Sequence, residues 1–398
     1  MAKQPKTAIE QRARASARIS DARVMRRGRP TTAFLHSKKW KRIRNILLLI
    51  LAFELVLFSL NFRMGAFEFI PEQAFANLKA MLQIPFRSLF DKDFDADALR
   101  ESLPYYDETV SRLKLSLIAF FSGFIICVGG AMFQTIFRNP IASPNMLGVS
   151  TGVSFGNVLF VLAYQLEAYS HLTMRYVYCY AAAIVLVLIA FGAGRLSGKR
   201  LGQFSVEGTI IAGMMITQLG GVIMQYYQLR LQADETGLLE MYTELANGDV
   251  LYTDKSSMIV FSVCTALTIL PMIFLHYRFN SVAFDDMEMK AMGVNNSVLR
   301  GLGLVLGSMM ATIALIHCGD VGFLCMVIPF MCRQRAQTEF GEVAYLSGML
   351  GGIMSLAVRI ILIMVGDSGM AIPASVITTL IMLPLFIFTL IRRGSAFQ

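Results

Sequence analysis

Cys318, Cys325 and Cys332 recur at seven-residue intervals beside His317. That pattern would stack three thiols on one helix face and, with an imidazole, could pass a soft metal ion. Buried helices use the same spacing to fill an inner stripe with small apolar side chains. All six cysteines, including Cys127, Cys179 and Cys264, sit in or beside apolar runs without paired spacing in a polar loop. Packing thiols are therefore expected, with no metal site and no cofactor. Nucleotide chemistry fails on spacing. No G-x-x-x-x-G-K-[ST] stretch exists, Gly198-Lys199-Arg200 lacks the leading glycine and the hydroxyl, and Gly301, Gly303 and Gly307 miss the dinucleotide pattern. Without a catalytic His/Asp/Glu cluster the chain is not expected to be an enzyme, and any ATP it uses must be hydrolysed on another subunit.

The elements that carry these residues belong in a membrane. With 55% hydrophobic and 16% charged residues, the chain has more apolar surface than a water-soluble core of 398 residues would hide. Its apolar runs are continuous and of helical span length, which excludes a barrel of short alternating strands. The reading is all-α, a polytopic helical membrane protein with about ten transmembrane helices, centred near Leu51, Ile125, Phe155, Val185, Gly220, Thr265, Gly307, Val327, Ile353 and Ile381. An even number of spans puts both termini on one side. Lys41, Arg42, Arg195, Lys199, Arg200, Arg333, Arg335, Arg392 and Arg393 all fall on that side, which the positive-inside rule makes the cytoplasm. Residues 1–42 read as a basic cytoplasmic tail, attracted to anionic lipid rather than nucleic acid, and residues 43–398 as one integral membrane domain. No cleavable signal peptide is expected ahead of the first apolar run. Between Arg63 and Thr109 a loop follows, in which residues 67–82 could lie as an interfacial helix.

Ionisable groups inside spans are costly and hence informative. Glu54 either faces the bundle or sits shallower by a shift in register. Arg112 and Arg359 lie toward the ends of the second and ninth spans. The charged segment Asp285, Asp286, Met287, Glu288 and Lys290, followed by Gly293 for a sharp turn and Asn296 as a cap, reads either as a solvated linker or as a transmission element.

One corner carries a signature. RLKLSLIAFFSGFIICVGGAMFQTIFRNPIASPNMLGVSTG holds Arg112, Leu113, Gly123, Gly130, Ala131, Gln134, Arg138, Asn139, Pro140, Ala142, Pro144, Leu147, Gly148 and Gly152 in order. It resembles the R-L-P-R, G, GA, Q, RNPLA, P, LG, G pattern of FecCD-type (BtuC-like) permeases, the membrane subunits of ATP-driven importers for iron-siderophores, haem and cobalamin. Further on, GDVGFLCMVIPFMCR resembles G-P-I-G-F-V-G-L-V-V-P-H-x-x-R, with Asp320 and Phe330 as departures. AIPASVITTLIMLPLF resembles the family's last span, with Ala371, Ser375 and Met382 replacing a glutamate and two glycines.

The resemblance implies a type II ABC importer permease in the bacterial cell membrane. Asp285 to Asn296 would dock on an ATP-binding subunit, and Arg112 and Arg359 would meet acidic residues of an extracytoplasmic substrate-binding protein. For Arg112 the alternative is an interfacial, snorkelling arginine. A second permease copy or paralogue would pair with the chain. The fifth span, with Gly213, Thr217, Gly220 and Gly221, would border the translocation path. An iron-siderophore is the expected cargo, with haem and cobalamin behind it. An ion-driven secondary transporter is the alternative class, for which Glu54 is the lone support.

Overall fold

The computed structural model describes residues 44–46, 48–53, 76–77, 79–81, 83–84, 99, 102–103, 106–198, 205–232, 237–248, 255–283, 288–289, 293, 295–335, 339–366 and 373–394. The basic tail, Glu54 and most of the proposed interfacial helix lie outside them, although 76–77 and 79–81 are helical. By internal contact the chain falls into residues 1–51 and residues 52–398. In the first unit the described positions from 44 to 51 are helical.

The second unit is built from α1 (Tyr106–Ile136), α2 (Val149–Tyr164), α3 (Leu172–Gly198), α4 (Val206–Gln232), the short α5 (Leu238–Ala246), α6 (Lys255–Asn280), α7 (Asn296–Cys318), α8 (Leu324–Arg335), α9 (Phe340–Gly366) and α10 (Ala374–Gly394). Seven of the described helices are long and apolar enough to cross a membrane. All ten predicted centres fall in helices, but two of the predicted spans are shorter than expected. At 16 and 12 residues, α2 and α8 reach about 24 and 18 Å, short of the roughly 30 Å hydrocarbon layer. Each is entered through a left-handed glycine, Gly148 (φ 80°) before α2 and Gly322 (φ 55°) before α8. The chain ahead of α2 is the 3-10 turn Pro144–Leu147, and ahead of α8 it is a non-helical turn at residues 319–323.

Helix α1 is the axis of the bundle. From Ile125 to Met132 its apolar side chains are sealed on all sides, and α7, α8 and α9 close around it. Glycines set these approaches: a Cβ at Gly129 would stand 3.0 Å from Gly307 O, and one at Gly123 would meet Ser355 and the Gly351 carbonyl. In lipid there is no hydrophobic drive between helices, so such close backbone packing supplies the attraction. Several hydroxyls bond within their own helices, Ser116 donating to Arg112 O, Ser308 to Leu304 O and Ser347 to Val343 O. The outward faces of α4, α6 and α10 carry exposed Leu219, Phe274 and Leu380, as expected of surfaces that meet lipid or another apolar partner.

Candidate coupling site

The signature corner is a chain reversal built from its own residues. Arg138 adopts φ 50° at the end of α1. Asn139 Oδ1 accepts the Ile141 N–H at 3.1 Å, and Asn139 O accepts the Ala142 N–H at 3.1 Å. Pro144 opens a 3-10 turn, Pro144–Leu147, where its missing N–H and fixed φ fit the first position. Gly148 ends that turn and starts α2 in the left-handed region, its N–H on Asn145 O and its carbonyl accepting from Gly152. Asn139, Pro144 and Gly148 thus each answer a backbone requirement.

Two arginines tie the corner to the rest of the same end of the bundle. Arg333 of α8 donates through Nε to Gln134 Oε1 at 3.0 Å and through Nη2 to Ala131 O at 2.7 Å and to Thr135 Oγ1. Gln134 Nε2 returns a bond to Met326 O at 2.9 Å, so the last turn of α1 is clamped to α8. Arg138 Nε donates to Val282 O at 2.9 Å, in the 3-10 turn Ser281–Ala283 that continues α6. Asn280 Oδ1 caps α9 by accepting the Phe340 N–H at 2.7 Å. Between these groups lies a cavity of about 270 Å³, bordered by Gln134, Arg138, Pro140, Phe279, Asn280 and Arg333.

The charged segment leaves from this wall. Asp285, Asp286, Met287 and Lys290 lie outside the described residues. Glu288 and Met289 are helical, Glu288 exposed and Met289 sealed at 0% exposure. Gly293 takes φ 73° with open space around it, so its backbone conformation, not crowding, selects glycine. The cap of α7 is one residue earlier than expected: Asn295 Oδ1 accepts the Val298 N–H at 3.3 Å, and Asn296 is the first helical residue. An N-cap needs extended backbone, which Asn295 has at ψ 99°.

The remaining sequence-predicted residues are dispersed. Gly213, Thr217 and Gly220 pack on the signature corner and α2. A Cβ at Gly213 would stand 2.8 Å from Leu147 Cα, one at Gly220 would overlap the Thr151 methyl, and Thr217 Oγ1 lies 3.3 Å from Asn145 O. A Cβ at Gly221 would meet nothing within 4 Å outside its own helix backbone. It shares the open side of α4 with a groove of about 560 Å³ lined by Ile211, Met214, Met215, Gln218, Leu219 and Val222. Arg112 is 9% exposed in the lone chain and Arg359 is half-buried. Phe330, at the position of the family histidine, packs on Phe386 with ring centroids 5.6 Å apart. Asp320 Oδ1 accepts the Gly322 N–H at 3.0 Å, which shapes the turn into α8.

At the opposite end of the bundle stands a residue the sequence reading passed over. Arg175, 6% exposed near the start of α3, donates through Nε to Asn157 Oδ1 at 2.8 Å and through Nη2 to Leu245 O and, at 3.1 Å, to Ile316 O. The signal was a single arginine in LTMRYVYCY, at a span edge where arginines commonly snorkel. Beside it Tyr176 OH and His317 Nε2 share a hydrogen bond of 2.6 Å. Helix α5 rests Leu238, Met241, Tyr242 and Leu245 on Val158, Val161, Met224 and Leu231. Burial there raises the Tyr242 phenol above its ordinary range, with hydrogen bonds to Gln228 and Ser154 opposing the shift, so it stays neutral.

Residues 56–392 match the FecCD transport family. The chain belongs to that family. This FecCD member is 24% identical to the molybdate import permease MolB of Haemophilus influenzae, over 71% of this chain and 81% of MolB. It is 24% identical to the Fe(3+) dicitrate permease FecD of Escherichia coli K12, over 78% and 92% of the two chains. With the hemin permease HmuU of Yersinia pestis it shares 26% identity over 71% and 82%. Its fold matches a metal-chelate-type ABC transporter solved in an inward-facing conformation, with a TM-score of 0.66 at 21% identity, covering 87% of this chain and 98% of that one. The FecCD chain is thus an ABC transporter permease and a multi-pass membrane protein, and the ion-driven alternative is set aside.

Proposed function

We propose that this FecCD permease imports an iron complex, of siderophore or haem type, across the cell membrane, driven by ATP hydrolysed on a separate subunit that docks on residues 285–296. The observation that carries the coupling is the attachment of that segment. Arg138 holds its N-terminal approach at Val282, and Asn295 caps α7 at its far end, so a push on the segment is delivered to both the signature corner and a transmembrane helix. FecD and HmuU are named for iron and haem cargo. The methionine-rich groove on α4, with Gln218 as its polar member, suits a bulky apolar-faced chelate. Pairing of two permease copies across this face would put Gly221 beside the path, whereas Gly213 and Gly220 hold α4 in place. Docking of a substrate-binding protein through Arg112 and Arg359 rests on their matched positions.

MolB favours a second cargo, molybdate. Uptake of radiolabelled ferric siderophore, haem and molybdate, with and without this chain, separates the readings; loss of molybdate uptake alone would overturn the iron assignment.

Both termini and the 285–296 segment are placed in the cytoplasm by the basic residues on their side. Asn295→Cys should therefore escape an impermeant thiol reagent added to intact cells, and its labelling from outside would invert the topology. Gly293→Val should cost about 1–2 kcal/mol locally, because a β-branched residue resists φ above zero. The expected result is normal insertion with depressed uptake. Normal uptake together with normal ATPase stimulation would take the coupling role away from this turn.

A further inference from the structure

Helix α7 is an unbroken rod of 23 residues, about 35 Å long. It begins at the Asn295 cap of the coupling segment and ends against α5. What joins it to α5 is Arg175. Ile316 O lies in the last turn of α7 and Leu245 O in the last turn of α5, and both accept from the same guanidinium nitrogen. Carbonyls in a last turn carry the negative end of the helix dipole, and although Leu245 O also accepts the Gly248 N–H at 3.2 Å, one cation serves two helix ends. The backbones beyond them also touch. Gly248 and Gly319, both at positive φ, lie so close that a Cβ at Gly319 would stand 2.5 Å from Asn247 O. Asn157 of α2 orients the guanidinium from a third side.

A cation buried this deeply must keep its partners, since leaving it unsatisfied is far costlier than any single bond gained. A displacement of α7 at the coupling end is then carried to α5, because the helix is stiff along its axis and its far end cannot slip past Arg175. We infer that Arg175 is a positioning residue that makes α5 move with α7, so that the segment engaged by the ATP-binding subunit acts on the opposite face of the membrane through one rod and one guanidinium. This inference rests on the coupling reading proposed above.

The test uses the permease reconstituted with its ATP-binding subunit in proteoliposomes. Thr243, exposed on α5, is replaced by cysteine, and its rate of reaction with an impermeant maleimide is measured without nucleotide and after trapping with ATP and vanadate. With Arg175 present the two rates should differ by about fivefold or more, the lower range of ordinary inter-site coupling. In Arg175→Gln the difference should vanish while ATP is still hydrolysed. An arginine that serves stability alone would lower the melting temperature and leave the ratio intact, and that result overturns the inference. Should Arg175→Gln not fold, Arg175→Lys decides, because it keeps the charge but loses the planar fork: a ratio at least halved supports the linkage, an unchanged ratio overturns it. Failure of the ATP-binding subunit to assemble with the Thr243→Cys parent would instead remove the coupling reading itself.

Discussion

Gly130→Val should abolish recovery of a folded permease. A Cβ at Gly130 would overlap the carbonyl oxygen of Cys325, which is backbone and cannot rotate away. The site lies where α1 is sealed by α8, with Ala131, Val327 and Leu324 fully buried nearby. Relief would require α8 to move off α1, and the Gln134–Arg333 clamp would part with it. Overpacking of this kind usually costs about 1–3 kcal/mol, and more when backbone is the obstacle. Gly221→Val is the matched control, since a Cβ there would meet nothing within 4 Å outside its own helix backbone. Monodisperse yield in detergent and thermal unfolding should fall sharply for Gly130→Val and hold for Gly221→Val. Equal behaviour of the two would show that close packing of α1 on α8 does not govern stability.

Arg333→Ala should be the most damaging loss of a polar side chain at the signature end. The guanidinium serves Gln134, Ala131 and Thr135, and hydrogen bonds to a charged donor contribute about 1.5–3 kcal/mol each where shielded from water. Its removal leaves Gln134 with an unused acceptor and α8 without its tether. Arg333→Lys should not restore stability, because a single ammonium cannot reproduce a planar fork spanning three acceptors. The expected measurement is a melting temperature lowered by both substitutions, with Lys closer to Ala than to Arg. A lysine variant as stable as the parent would show that charge at this position matters and geometry does not.

Much of the signature end was legible in the chain because its residue types answer local backbone demands. Pro144 and Gly148 can be placed from their own conformational limits. The same holds for the turn at Gly293, which needs glycine whatever surrounds it. The family resemblance rests on these same residues.

Tertiary structure decided the rest. Within an apolar run, a half-length helix entered by packed loop looks the same as a full span, so the shortness of α2 and α8 could not be read from hydropathy. In a water-soluble protein a polar face tells which side of a helix points inward; here α3 and α6 are apolar nearly all round, and that signal is missing. The inward face is set instead by where a backbone can approach, which is why Gly213 and Gly220 pack inward on Leu147 and Thr151 while Gly221, one residue on, is open. Arg175 shows the same limit for chemistry. Besides Asn157, its partners include the main-chain carbonyls of Leu245 and Ile316, 70 and 141 residues away, and because every residue carries a carbonyl, no residue type marks those two in advance. The sequence determined that the chain folds within a membrane and turns at a signature corner; the meeting of two helix ends at one guanidinium arises from packing alone.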